Sequence, residues 1–183
     1  MTRPAGRTKQ KEETRQRLLV SAREVFDEGS VVTTPLDAVA KGAGVSKATL
    51  FFHFATRADL LRATAGDLYG ELALVVDVLH DRDTVDYLRA YLHAQTDRRI
   101  VLLWKIGDVL AADADPLVDV AYTSLSVEVG RRLTDDGVPA DRVDALAGVI
   151  APAAFMVARR VAFGSADTTE IETFLTRVTA LLP

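Results

Sequence analysis

Apolar residues recur along this chain at the spacing of a helix, and no segment alternates in the manner of a strand. Leu18, Leu19, Ala22, Val25 and Phe26 predict a helix over 14–28, stopped by Gly29. Before it, residues 1–13 (MTRPAGRTKQKEE) have no apolar period and read as a flexible basic arm. Thr34 as cap, Pro35 at the first helical position and Asp37 three after the cap open a short helix with Leu36, Val39 and Ala40 inward. Gly42 and Gly44 end it. Ser46 caps a third helix reaching Phe54, and Thr56 with Asp59 opens a fourth over 57–80. Further helices are expected over 84–96, 98–112, 116–134, 141–163 and 169–182, opened by Asp83-Thr84, by Asp115-Pro116 and by the turn GSADTT. The segment 98–112 is apolar nearly all round, which makes it central. The expected fold is all-α with about nine helices: an arm at 1–13, a three-helix helix-turn-helix domain at 14–56, and a larger helical bundle at 57–183.

Charge divides along the same line. Residues 1–62 carry a net charge of about +4 and the remainder about −8. A basic front on an acidic body points to a polyanion meeting one part only, the alternative being a solubilising tail. Hydrophobic residues make up 49% of the 183 positions, with a mean hydropathy of +0.12, enough for a filled core and unlike a disordered chain. The absence of cysteine excludes disulfides, thiolate nucleophiles and cysteine-ligated metals. Met1 leads into charged residues rather than an apolar leader core. The longest uncharged run, Ala145–Ala158, is shorter than a bilayer span. Both favour a cytoplasmic protein without a membrane partner.

The stretch GVSKATLFFHF, residues 44–54, carries the most specific signal. Two short helices joined by a tight glycine turn make a helix-turn-helix. Ala40 is small where the helices cross, Gly44 suits the turn, and Val45 closes the corner. Leu50 and Phe54, four apart, give the third helix one buried stripe. Lys47 with Phe51, and Ala48 with Phe52, then occupy faces that cannot all point inward. An exposed apolar surface beside basic groups fits a thymine methyl or a sugar.

Residues 14–61 resemble the DNA-binding domain of the tetracycline-repressor (TetR) family of transcriptional regulators. The resemblance rests on Phe26, Gly29, Thr33-Thr34, Ala40, Ala43-Gly44-Val45-Ser46, Phe54 and Leu60 in one joined pattern. Two positions depart from it. Phe51 stands where the family has a tyrosine and lacks the hydroxyl that would donate to a phosphate. Arg57 stands where the family has a lysine and keeps the charge. The expected DNA-binding set is Thr34, Ser46, Lys47, Ala48, Thr49, Phe51, Phe52, His53 and Arg57. Within it Lys47, Thr49 and His53 go to phosphates, joined by Ser46 through its hydroxyl or the helix amino end, and Ala48, Thr49, Phe51 and Phe52 to base edges or sugars. The alternatives are a solvated basic face and rings packed on the first helix. Arg3, Arg7, Lys9 and Lys11 of the arm either reach the minor groove or are solvated.

The resemblance also implies a small-molecule site in the larger bundle and a homodimer. Tyr87, Tyr91, His93, Trp104, Lys105, Asp108 and Tyr122 are the candidate pocket residues, because a ligand site needs a few polar groups in an apolar bundle. Each also has a plain structural reading: Trp104 as core, Lys105 and Asp108 as an i, i+3 pair. Val143, Ala147, Ile150, Ala151, Ala154, Phe155, Ala158, Phe174 and Val178 are expected at a self-complementary contact between two copies, the alternative being a bundle internal to one chain. No cofactor or metal is expected. The function expected is a ligand-responsive repressor, bound as a dimer to a near-palindromic DNA operator and released by a small molecule. A DNA-binding regulator controlled by a protein partner is the second reading. An enzyme is the remote one: a di-metal bundle needs paired Glu-x-x-His motifs, and Asp77-x-x-His80 only approximates one.

Overall fold

The computed structural model describes residues 5–76, 82–111 and 117–183. Arg3, the Asp77–His80 pair and the Asp115-Pro116 cap lie outside those residues, as do the side chains of Arg7 and Tyr122. Nine helices and no strands are found among the described residues: α1 (Ala5–Glu28), α2 (Leu36–Gly42), α3 (Lys47–His53), α4 (Arg57–Val76), α5 (Thr84–Ala94), α6 (Arg98–Ala111), α7 (Leu117–Asp135), α8 (Ala140–Ala162) and α9 (Thr168–Thr179). The chain forms two compact units, Met1–Glu71 and Leu72–Pro183. Most of α4 therefore belongs with the first three helices rather than with the bundle.

In the first unit α1 buries Leu18, Leu19, Ala22 and Phe26, α2 buries Val39 and Ala40, and α3 buries Leu50. Phe54, just past α3, and Leu60, Leu61, Ala65 and Leu68 of α4 are buried as well. The α2–α3 turn closes with two hydrogen bonds, Val45 N to Ala40 O at 2.9 Å and Gly44 N to Lys41 O at 3.1 Å. This pairing puts Gly44 at φ +66°, a conformation that costs a residue with a Cβ and costs glycine nothing. Two α1 side chains hold the same turn: the Ser21 hydroxyl donates to Val39 O at 2.9 Å, and Arg17 donates to Ala43 O at 3.2 Å. A Cβ at Gly42 would collide with Ser21 Oγ. The turn is thus fixed from within and from α1.

Two sequence expectations change here. Residues 5–13 are the opening turns of α1 rather than part of an arm. That segment is polar all round and is held by local pairs such as Lys9–Glu13 at 3.9 Å, so it has no apolar stripe for periodicity to detect. Thr34 does not cap α2. Pro35 occupies the cap position with no side-chain cap bond, and Thr34 Oγ1 instead accepts from Ser30 N at 3.0 Å, closing the α1–α2 turn. Ser46, by contrast, caps α3 by accepting from Thr49 N at 3.1 Å. Thr56 and Asp59 exchange backbone bonds at 3.0 and 3.1 Å as a capping box on α4.

In the second unit one core joins α5, α7, α8 and α9 through Tyr87, Leu88, Leu92, Leu125, Val129, Leu133, Ile150, Ala151, Ala154, Ala158, Val161, Ile171, Leu175 and Val178. α7 and α8 form the most extensive pair. Ala151, Ala154 and Ala158 let neighbouring helices approach α8 closely. By length and composition α8 is the one described helix apolar enough to cross a membrane, with 33% of that window buried inside the bundle.

Candidate nucleic-acid interface and bundle sites

α3 has two sides. Leu50 is 0% exposed and Phe54 is nearly so, while Phe51 is 40% and Phe52 73% exposed. The seven-residue helix buries one stripe, as expected, and leaves two rings outside. Ala48 and Lys47 are exposed beside them and Thr49 is half-buried. The Ser46 and Thr49 hydroxyls lie 2.8 Å apart, so both are oriented by the cap. Lys47 Nζ meets Asp37 Oδ1 of α2 at 2.9 Å, and both side chains are well exposed. Such a pair is worth about 0–1 kcal/mol and yields readily to a stronger anion.

The rings also have neighbours from α1. Lys11 Nζ lies 5.4 Å from the centre of Phe52, and the Arg15 guanidinium 5.5 Å from that of Phe54. Phe52 and His53 meet edge to face at 5.5 Å. Burial, followed by the positive charges of Lys11 and Arg15, holds the His53 imidazole below its ordinary pKa, with Glu12 acting in the opposite sense. The sequence reading missed Arg15 and put Lys11 in the arm. Their four-residue spacing was the signal, but it requires α1 to begin early.

Arg57 does something other than expected. It donates to Val31 O at 2.9 Å and to Thr34 O at 2.6 Å. Its guanidinium is half-buried and ties the α1–α2 turn to α4, instead of reaching outward to a phosphate. Arg23 makes a second tie from α1 to α4, pairing with Asp67 and, at 2.7 Å, with Glu71.

In the bundle, the six pocket candidates whose side chains are described do not form one site. Tyr87 is buried beneath the Arg132 guanidinium at 4.1 Å and stacks on Tyr91 at 6.3 Å. Burial, reinforced by Glu128, pushes its phenol up to about 12. Trp104 Nε1 donates to Gln95 Oε1 at 2.9 Å, and its ring meets Phe155 at 4.8 Å. His93 is exposed, 3.9 Å from Glu172. Asp108 pairs with Arg159 of α8 at 2.7 Å rather than with Lys105. An open cleft of about 170 Å³ is lined by Asp108, Met156, Arg159, Arg160, Phe163 and Ser165, and takes in Asp108 alone of the six described candidates.

The residues expected between two copies divide in the same way. Ile150, Ala151, Ala154, Ala158 and Val178 are buried in the core of their own chain, so a partner cannot reach them. Val143, Ala147, Phe155 and Phe174 are half-buried against that core. The outward side of α8 is a different stripe: Ala145, Val149, Pro152, Met156 and Phe163, with Val149 62% and Met156 57% exposed. It repeats at helical spacing and was legible in the sequence, masked by the second apolar stripe beside it.

Residues 18–64 match the family model of bacterial regulatory proteins, tetR family. Over these residues the chain is similar to the tetR family. The HTH-type transcriptional regulator AcrR of Shigella flexneri is 34% identical over 92 residues, a match covering 48% of this chain and 43% of that protein. The match therefore spans less than half the length of this curated relative. The fold is shared more widely. A transcriptional regulator from Rhodococcus sp. Rha1 superposes with a TM-score of 0.70 at 17% identity, over 91% of this chain and 94% of that one. RolR in complex with resorcinol gives 0.62 at 18% identity, over 96% and 90%. The matched residues run from the buried stripe of α1 through the α2–α3 turn and α3 into α4.

Proposed function

We propose that this protein is a DNA-binding transcriptional regulator that works in the cytoplasm as a homodimer and is released from a near-palindromic operator by a small molecule. One observation carries the reading: a rigidly capped α3 buries Leu50 and turns Phe51 and Phe52 outward among Lys47, Lys11 and His53. In the major groove, Ala48 and Phe52 meet thymine methyls or sugar faces, while Lys47 exchanges Asp37 for a phosphate. Ser46 and Thr49 position the helix amino end. Phe51 makes an apolar contact only.

A reader of successive grooves needs a second copy placed about 34–36 Å away, or a multiple of that. The outward α8 stripe through Val149 and Met156 supports self-association, because it leaves apolar side chains exposed along one side of a long helix. The resorcinol complex of the fold relative RolR supports a small-molecule effector. A second reading, control by a protein partner, draws on the bundle itself: Tyr87 and Trp104 are already engaged by Arg132 and Gln95 of their own chain rather than turned toward a ligand.

A gel shift tests the proposal, using DNA that flanks the protein's own gene with and without aromatic metabolites. A discrete, competitor-resistant complex is the expected result. Loss of the complex on adding a metabolite selects the small-molecule reading over the protein-partner one. Equal binding to every duplex, at levels of non-specific association, would overturn a sequence-reading role.

A further inference from the structure

α1 and α3 bring three nitrogen groups to one edge of the helix-turn-helix. Lys11 lies over Phe52 at 5.4 Å, Arg15 over Phe54 at 5.5 Å, and the His53 imidazole stands between those two rings, 5.5 and 6.4 Å from them. The aromatic frame sets their spacing, since each cation is held against a ring face. Glu12 is the acidic group facing the imidazole.

We propose that Lys11, Arg15 and His53 form one phosphodiester site, shared by α1 and α3, that takes up a proton as it takes up DNA. The proposal rests on the DNA-binding reading above and adds to it a composite site and a linkage. When the site is empty, burial and the two neighbouring cations disfavour the charged imidazole, against the pull of Glu12. A phosphate oxygen beside the ring reverses that balance, because a nearby anion favours the imidazolium and a charge-assisted N–H donor binds phosphate more strongly than a neutral one. The proton comes from solvent onto the imidazole, and no covalent bond changes.

The sign follows. The free-state pKa lies below the ordinary value of about 6.5 for histidine, and the DNA-bound value lies above the free one. The bound state therefore holds more protons across the window between them. Affinity rises as pH falls through the bound-state pKa and levels off below the free-state pKa.

The test measures binding of the full chain to a labelled duplex flanking its own gene, and to a shuffled duplex, by anisotropy between about pH 8 and 5.5. Both duplexes should bind more tightly on acidification, by up to about tenfold per pH unit at the steepest point, as one linked proton requires. His53→Gln should flatten that dependence while circular dichroism stays unchanged. In the free protein, Lys11→Met should raise the His53 titration midpoint seen by NMR, and adding the duplex to the unaltered chain should raise it too. A purely structural role for His53 leaves the midpoint unmoved when the duplex is added. Binding with the same pH dependence in the unaltered chain and His53→Gln would overturn the proton-linked site and leave the DNA reading standing. No binding of either duplex at any pH would overturn both.

Discussion

Two helices of this protein leave large apolar side chains in water, and they do it differently. On α3 the exposed groups are aromatic rings, Phe51 and Phe52, with Lys47, Lys11 and His53 around them. On α8 they are mainly aliphatic, Val149 and Met156 on either side of Pro152, following Ala145 and spread over about three turns, with Phe163 just past the helix end. A short aromatic patch set among cations suits a polyanion with flat apolar edges. A longer, mainly aliphatic stripe running along one helix and past Pro152 suits another copy of itself. Exposure alone does not identify a partner; the groups that border the exposed surface do.

The sharpest way to break this contrast is on α3. Leu50→Ala empties the buried side and should cost about 2–5 kcal/mol, lowering the melting midpoint of the first unit. Phe52→Ala, two residues on, should stay within about 0.5 kcal/mol and lose DNA binding instead. Equal stability losses would show that the helix has no outward side. On α8, Met156→Glu should weaken self-association on the order of 100-fold, since a carboxylate is forced into an apolar contact. Sedimentation should then show single chains with unchanged helix content. A mass that does not differ from that of the unaltered chain would remove α8 from the interface.

Arg57→Ala sharpens the distinction between architecture and contact. Removing both bonds to Val31 and Thr34 carbonyls should cost about 1–3 kcal/mol in denaturant unfolding. A drop in the salt dependence of DNA binding with no loss of stability would restore the phosphate role. The smallest expected effect belongs to Asp37→Ala. It frees Lys47 from an exposed pair worth at most about 1 kcal/mol, so DNA should bind up to about fivefold more tightly. Weaker binding would mean that Asp37 itself reads the groove.

Much of this was legible in the residues, and the failures have physical causes. Ser46, Thr56 with Asp59, and Gly44 announced their roles because caps and turns are local chemistry. The start of α1 was missed because a helix held by charged pairs has no apolar stripe. The Thr34 cap was misread because its hydroxyl closes the preceding turn on Ser30 N, and the ties of Arg57 were missed because its fork satisfies carbonyls 23 and 26 residues away, where no spacing rule reaches. On α8 the small-residue stripe was found, but a chain folding on itself and a chain meeting its copy ask for the same residues. Only packing told Ala151, Ala154 and Ala158 apart from Ala145, Val149 and Met156.

Trp104 has a practical consequence. It is the single tryptophan of the sequence, and its indole is tied to Gln95 at the end of α5 and lies against Phe155 of α8. Three helices of the bundle thus converge on one intrinsic fluorophore. Its emission maximum offers a label-free gauge of whether an effector has disturbed that junction, in the unaltered chain and at micromolar quantities.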